Sequence, residues 1–234
     1  MTASIALLAK APIPGHVKTR LTPPLEPDRA GRVARALLEL TIACIVPAVP
    51  ARWTLFLDGP TDARLLALAA DHGLAVEPQA EGDLGARLAA AFRVLRSRGA
   101  TRTLALGADS PTLDPARVNE AIAALEVDDL VLGPAEDGGY YLVGTREPHE
   151  EIFRGIPWGT SRVLEVTLER AREAALTTRL LPGWYDVDGI EDLRRVRREI
   201  AERFGAGAAG IEGGADSTGA RDPATRAARE LTDD

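Results

Sequence analysis

Short apolar runs alternate with amphipathic stretches along most of this chain, and that alternation restricts its fold more than any other feature. Ile5 to Leu8, Trp53 to Leu57, Leu74 to Glu77, Thr101 to Leu106, Leu130 to Leu132, Tyr140 to Val143 and Arg179 to Leu181 read as strands. Between them the apolar spacing predicts helices at about Asp28 to Val46, Asp62 to His72, Leu84 to Arg98, Pro115 to Leu125, Ser161 to Ala175 and Ile190 to Phe204. Asp28, Thr61 and Asp83 stand where a side chain caps a first turn. Strands interleaved with helices imply an α/β fold with a mostly parallel sheet covered on both faces. The closely spaced pair near 130 to 143 is the place for an antiparallel element.

This pattern fills residues 1–204, which make one domain with ample material for a core. From Gly205 to Asp234 the chain turns to Gly, Ala, Ser, Thr and charge, with at most a marginal helix over Arg221 to Leu231. That segment is expected to be a disordered tail, because it buries too little apolar surface to offset its ordering entropy. A net charge of -7 argues against a general nucleic-acid or membrane-surface binder. The longest apolar run, Leu37 to Val49, is interrupted by Glu39 and Pro47, and no charged n-region with an apolar h-region opens the chain. Neither a membrane span nor a signal peptide is therefore expected. A single cysteine, Cys44, rules out a disulfide within the chain and agrees with a cytoplasmic setting.

In open α/β sheets, ligands bind beyond the carboxyl ends of the strands. The polar clusters that follow predicted strands are therefore the candidate site. The first is the loop holding Lys10, Pro14, Gly15, Lys18 and Arg20. Lys10 and Lys18 are the only lysines in a chain that otherwise uses arginine. A compact ammonium suits a phosphate oxygen, and Arg20 adds a planar fork; a merely solvated basic loop is the alternative. The second is Asp109, which leaves an apolar run into Ser110-Pro111 and either holds Mg²⁺ or Mn²⁺ or caps the next turn. Glu136 and Asp137 precede Gly138, Gly139 and Tyr140, where acids and a tight turn come together, although a plain hairpin explains the glycines equally well. Asp186 and Asp188 alternate on an extended segment and so share one side, and Asp188 with Glu191 also has the spacing of a capping box. Asp83 is read first as a cap and Arg87, one turn later, as facing a ligand. His16, His72 and His149 lack zinc-ligand spacing, and there is neither a nucleophile elbow nor a phosphate loop ending in Gly-Lys-Ser/Thr. Cations for a diphosphate beside carboxylates for a divalent ion are the most economical site.

Six ordered motifs carry a resemblance. They are Lys10-Ala11-Pro12-x-Pro14-Gly15-x-x-Lys18-Thr19-Arg20-Leu21, Gly82-Asp83-Leu84-Gly85, Gly107-x-Asp109-Ser110-Pro111, Glu136-Asp137-Gly138-Gly139-Tyr140, Pro157-Trp158-Gly159-Thr160-Ser161 and Asp186-Val187-Asp188-x-x-Glu191-Asp192-Leu193. The set resembles the DUF2064 family of nucleotide-diphospho-sugar transferases, which includes arsenosugar-biosynthesis-type glycosyltransferases, over roughly residues 4 to 200. The resemblance implies a GT-A, Rossmann-like three-layer α/β/α sandwich and a divalent metal, Mg²⁺ or Mn²⁺. It also implies a nucleotide-sugar donor and a small-molecule acceptor. It assigns Lys10, Pro14, Gly15, Lys18, Arg20, Asp83 and Arg87 to the nucleotide and its diphosphate, and Asp109, Asp186 and Asp188 to the metal. Asp137 and Glu136 become the catalytic or acceptor-side acids, with Gly138, Gly139, Tyr140 and Trp158 on the substrate side. The chain departs from the Asp-x-Asp of many such transferases, since Gly107-Ala108 precede Asp109.

Two rivals stand beside this reading: a nucleotidylyltransferase releasing pyrophosphate, and a non-catalytic nucleotide-binding module. Pro12 and Pro14 favour the sugar donor, because prolines remove backbone donors that would wrap a triphosphate.

Overall fold

The structure, a computed structural model, describes residues 3–208 and 222–232. Seven strands form one sheet: β1 (Ala3–Lys10), β2 (Arg52–Asp58), β3 (Ala75–Pro78), β4 (Arg102–Gly107), β5 (Leu130–Pro134), β6 (Tyr140–Thr145) and β7 (Thr178–Leu180). Their order is β3-β2-β1-β4-β6-β5-β7, with only β6 antiparallel to its neighbours. The expected mixed, mostly parallel sheet is therefore present, and the close pair near 130 to 143 supplies its reversed strand. The chain builds one way from β1 and then returns to add β4 on the other side. That reversal opens a crevice at the carboxyl ends of β1 and β4.

Helices cover both faces. On one lie α1 (Pro27–Ile45), α2 (Ala63–Asp71) and α4 (Pro115–Ala124), whose Leu38, Ile42, Leu65, Leu68 and Val118 pack against Ile5, Leu7, Leu55 and Leu104 of the sheet. On the other lie α3 (Leu84–Ser97) and α5 (Val163–Glu173), with Leu88, Phe92, Leu95 and Ala171 against Ala6, Phe56 and Leu132. Asp83 caps α3 by accepting from the Ala86 amide at 2.8 Å. In α2 the cap is Asp62 rather than the expected Thr61. Asp28 lies inside the first turn of α1, behind Pro27, and is not its cap.

The expected tail needs correction. Helix α6 (Ile190–Ala208) runs past the predicted boundary at 204, and Pro223–Thr232 forms α7. Ala227, Ala228 and Leu231 are buried against Val33, Leu37 and Leu40 on the outer face of α1, together with Leu193, Val196 and Ile200 of α6. Two alanines and one leucine look too sparse for an apolar face. Alanine, however, lets a helix approach closely, and contact area rather than residue count decides burial. Residues 209–221 lie outside the described residues. No helix among those described is long and apolar enough to cross a membrane.

Candidate active site

The crevice between β1 and β4 opens into a cavity of about 590 Å³, lined by Lys10, His16, Lys18, Arg20, Asp58, Gln79, Arg87, Asp109, Trp158 and Asp188 among others. Its floor comes from the sheet and its walls from loops. Lys10 ends β1 in register with Asp58 at the end of β2. The chain then folds back on itself: the Ala11 amide donates to the Asp58 carbonyl, Ile13 to Ala11 and His16 to Ile13. Pro14 lies against Gly31 of α1, where a Cβ would come within 3.3 Å of the proline. Gly15 takes a left-handed conformation with φ 77°.

Lys18 does the same with φ 49°, which costs a residue with a Cβ on the order of 1–2 kcal/mol. The turn Thr19–Leu21 follows, anchored by the fully buried Leu21. This bend sends the Lys18 side chain inward, leaving it only 7% exposed. Its ammonium lies 2.8 Å from Asp109 Oδ1, donates to the Val187 carbonyl at 2.6 Å and stands 3.8 Å from Asp188 Oδ1. Arg20 reaches Asp188 Oδ2 at 2.9 Å. Lys10, by contrast, is exposed at the cavity with no acidic partner among the described residues.

The carboxylate wall is held by backbone. Asp109 follows β4, and its carbonyl accepts the Val187 amide at 3.0 Å, which pins the 186–188 segment beside it. Buried Ser110 meets both the Tyr185 carbonyl at 2.9 Å and Asp186 Oδ1 at 2.5 Å. Burial first, and then the charges of Asp109 and Asp137, push the Asp186 carboxyl up to about 6 against the opposing pull of Ser110 and Lys18. Asp109, Asp137 and Asp186 thus share one electrostatic neighbourhood. The Asp188 and Gly189 amides donate to Asp192 Oδ2 at 3.1 and 2.7 Å, and Glu191 pairs with Arg194. No Asp188–Glu191 capping box forms, so the Asp188 carboxylate is left for Lys18 and Arg20.

The two adjacent acids of the glycine turn part company. Asp137 Oδ1 accepts the Gly139 amide at 2.8 Å, and its charge is felt at Asp186. Glu136 turns to Arg195 of α6 at 3.1 Å, a guanidinium that also lies 3.7 Å above the Tyr185 ring. Gly138 takes φ 88°, and any Cβ there would collide with the Ser161 carbonyl, so the 157–161 loop rests directly on this turn. Tyr140 stacks edge-on with Trp158 at 6.2 Å, and burial raises its phenol well above the usual range. The Tyr140 ring is therefore a wall behind Trp158, which itself lines the cavity.

Asp83 acts on its own helix, whereas Arg87 spans the end of the cavity lined by Asp58 and Gln79. It donates to Asp58 at 2.6 Å, to Gln79 at 3.1 Å and to the Gly82 carbonyl. Gln79 in turn donates to the Ala9 and Phe56 carbonyls, tying together the ends of β1 and β2. Asp58, Gln79 and Arg195 were not anticipated. Asp58 carries the same strand-end signal as Asp109 but is also the first residue of a strong turn sequence.

Among the described residues no group of three or more His, Cys, Asp and Glu side chains is gathered as a metal site. What converges is Asp109, Asp188 and the Val187 carbonyl, all on the Lys18 ammonium. These are oxygen donors facing a cation, the chemistry a hard divalent ion prefers. The residues fit such an ion in kind, in a place now taken by Lys18.

The model of a family described as an uncharacterized protein conserved in bacteria, DUF2064, matches residues 41–160. That span includes Asp109 and the Glu136–Tyr140 turn and leaves out the opening loop and Asp186–Asp188. No curated protein gives a match. Among solved structures, a protein provisionally named a nucleotide-diphospho-sugar transferase, from Desulfovibrio desulfuricans G20, is similar at 28% identity and a TM-score of 0.78, over 98% of this chain and 95% of that one. A cytidylyltransferase from Leptospira borgpetersenii serovar Hardjo-bovis shares the fold at 14% identity and a TM-score of 0.59, over 87% and 88% of the two chains. A Mycobacterium tuberculosis H37Rv protein in complex with manganese shares it at 20% identity and a TM-score of 0.54, over 84% and 98%.

Proposed function

Because the chain belongs to the DUF2064 family, we propose that it is a transferase that takes a nucleotide-diphospho-sugar as donor and passes the sugar to a small-molecule hydroxyl. The observation that carries this reading is one cavity lined by both cations and carboxylates, in which Asp109 and Asp188 pair with Lys18 and Arg20 while Lys10 has no acidic partner among the described residues. The nucleoside lies toward Asp58, Gln79 and Arg87, and the diphosphate crosses Lys10 and Arg20. The sugar points to Trp158 and the Gly138–Gly139 turn. A divalent ion bound by Asp109 with Asp188 or Asp186 supplies neutralisation of the leaving diphosphate. Lys10 and Arg20 share that charge from the opposite side. Asp137 accepts the acceptor's hydroxyl proton, while Glu136 holds its turn through Arg195.

The opening loop divides its backbone donors between its own fold and the cavity side. Ala11, Ile13 and His16 spend their amides on carbonyls of the loop and of β2, and Pro12 and Pro14 have none to give. The amides of Gly15, Val17, Lys18, Thr19 and Arg20 have no such acceptor among the described residues and remain as donors for phosphate oxygens.

The test is a panel of nucleotide-sugars and nucleoside triphosphates, each with Mn²⁺ or Mg²⁺, read by melting-temperature shift and by hydrolysis. Stabilisation and slow hydrolysis with one nucleotide-sugar are expected. Turnover of a nucleoside triphosphate to pyrophosphate, with no response to any nucleotide-sugar, would replace sugar transfer by nucleotidyl transfer. Binding without turnover of either class would leave a binding module.

A further inference from the structure

Lys18 sits where a bound cation would sit. Its ammonium is nearly enclosed, with Asp109 Oδ1 at 2.8 Å, the Val187 carbonyl at 2.6 Å and Asp188 Oδ1 at 3.8 Å. The left-handed backbone at Lys18 and the buried anchor at Leu21 fix where this side chain leaves the main chain, so the seat is built rather than adventitious. A dication on the Asp109 oxygen would stand within about 5 Å of that ammonium, and like charges at such a separation disfavour one another. Lysine is suited to leaving, since its charge rides on a flexible four-carbon stem and makes no rigid fork with its partners. The cavity lies directly alongside, with Lys10 at its edge. Asp188 keeps Arg20 when Lys18 departs.

We propose that Lys18 is the resident counter-cation of the Asp109–Asp188 pair and occupies it in alternation with a divalent ion. Lys18 then swings into the cavity beside Lys10 only when the ion has taken the carboxylates. Two ammonium groups thereby meet a diphosphate after metal loading and only one before it, so metal and donor bind cooperatively. The inference rests on the proposed function only in requiring a divalent ion at this pair.

Two measurements on the full chain test it. In the first, Mn²⁺ is titrated without nucleotide and free Mn²⁺ is followed by electron paramagnetic resonance, for the wild type, Lys18→Gln and Lys18→Arg. Lys18→Gln should bind Mn²⁺ about tenfold more tightly than the wild type, because its competitor is gone, and Lys18→Arg should not. Equal or weaker Mn²⁺ binding by a folded Lys18→Gln overturns the proposal. The second needs no variant. With lysine only at positions 10 and 18, reductive methylation and peptide mass spectrometry read each separately. Lys18 should be protected relative to Lys10 in chelator and become reactive when Mg²⁺ is added. If the wild type binds Mn²⁺ while Lys18 stays protected, alternation is wrong and the metal-dependent reading stands. If neither the wild type nor Lys18→Gln binds Mn²⁺, even with a nucleotide-sugar present, both fall.

Discussion

Two knots of opposite charge, one around Glu39 and one around Lys18, are built in contrasting ways. Glu39 is 0% exposed in the middle of α1 and is reached by Arg64 at 2.5 Å, with Arg35 and Arg226 each at 3.8 Å. Its partners come from three packed helices, α1, α2 and α7, and Glu230 of α7 adds a second carboxylate to Arg64 at 3.0 Å. The Lys18 knot lies on loops at strand ends and borders a cavity, with the Asp109 side chain 46% exposed. The first sets planar guanidinium groups around a fully buried carboxylate between packed helices. The second uses a single ammonium at an open edge, where its partners stay accessible to a competing ion or a ligand. The lesson is that one cluster ties helices together around a buried acid, while the other leaves its acids bordering a cavity.

The sharpest way to break this comparison is to remove one acid from each knot. Glu39→Ala removes the buried acid while Arg35 keeps Asp62 and Arg64 keeps Glu230, so it should cost about 1–3 kcal/mol in urea unfolding, with Mn²⁺ affinity unchanged at temperatures where the protein is folded. Asp109→Asn should lower turnover of the responsive nucleotide-sugar about 10²–10³-fold, the scale of losing one charge-stabilising group, while the melting temperature barely moves. A melting drop in Asp109→Asn as large as that of Glu39→Ala would show both knots to be structural. Between them lies Gly85→Ala. Its methyl would press on the Phe153 carbonyl and Trp158, so about 1–3 kcal/mol of stability should be lost, together with a higher KM as Trp158 shifts.

Asp186 gives a smaller effect with a definite sign. Its carboxyl keeps its proton up to about pH 6 in the folded protein, against 3.8 for the ordinary carboxyl of the unfolded chain. The stabilising contribution is complete below about pH 4 and is lost as pH rises through about 6. The melting temperature of Asp186→Asn relative to wild type should therefore climb between pH 4 and pH 7; a flat difference would refute the assignment. Smallest of all is Arg20→Ala. This side chain is 67% exposed, so loss of its pair with Asp188 should change stability by less than about 1 kcal/mol, measured by thermal melting.

Local pattern made the strands and the helices between them legible, because burial on one face repeats at short intervals along the sequence. Strand-end logic likewise found Asp109 and Lys10. What it missed depends on distant pairings. Nothing near Lys18 announces that its ammonium is spent on Asp109, and nothing near Glu136 announces Arg195. Asp58 was hidden by its own turn sequence, although it ends β2 in register with Lys10. A marginal helix over Arg221 to Leu231 was legible, but the packing of α7 was not, because Ala227 and Ala228 bury through closeness of approach, which a count of large apolar residues does not see.

The two-sided burial of α1 has a consequence for synthesis. The sheet-facing side of this helix meets strands made soon after it, but Val33, Leu37 and Leu40 wait for the segment beyond Gly189. A nascent chain therefore carries a bare apolar stripe, next to its future ligand loop, through most of elongation. Such a stripe is a natural client for holdase chaperones and a seed for misassembly at high expression. Slower translation or lower temperature during production should raise the soluble yield of the intact chain more than that of a variant with those three positions made polar.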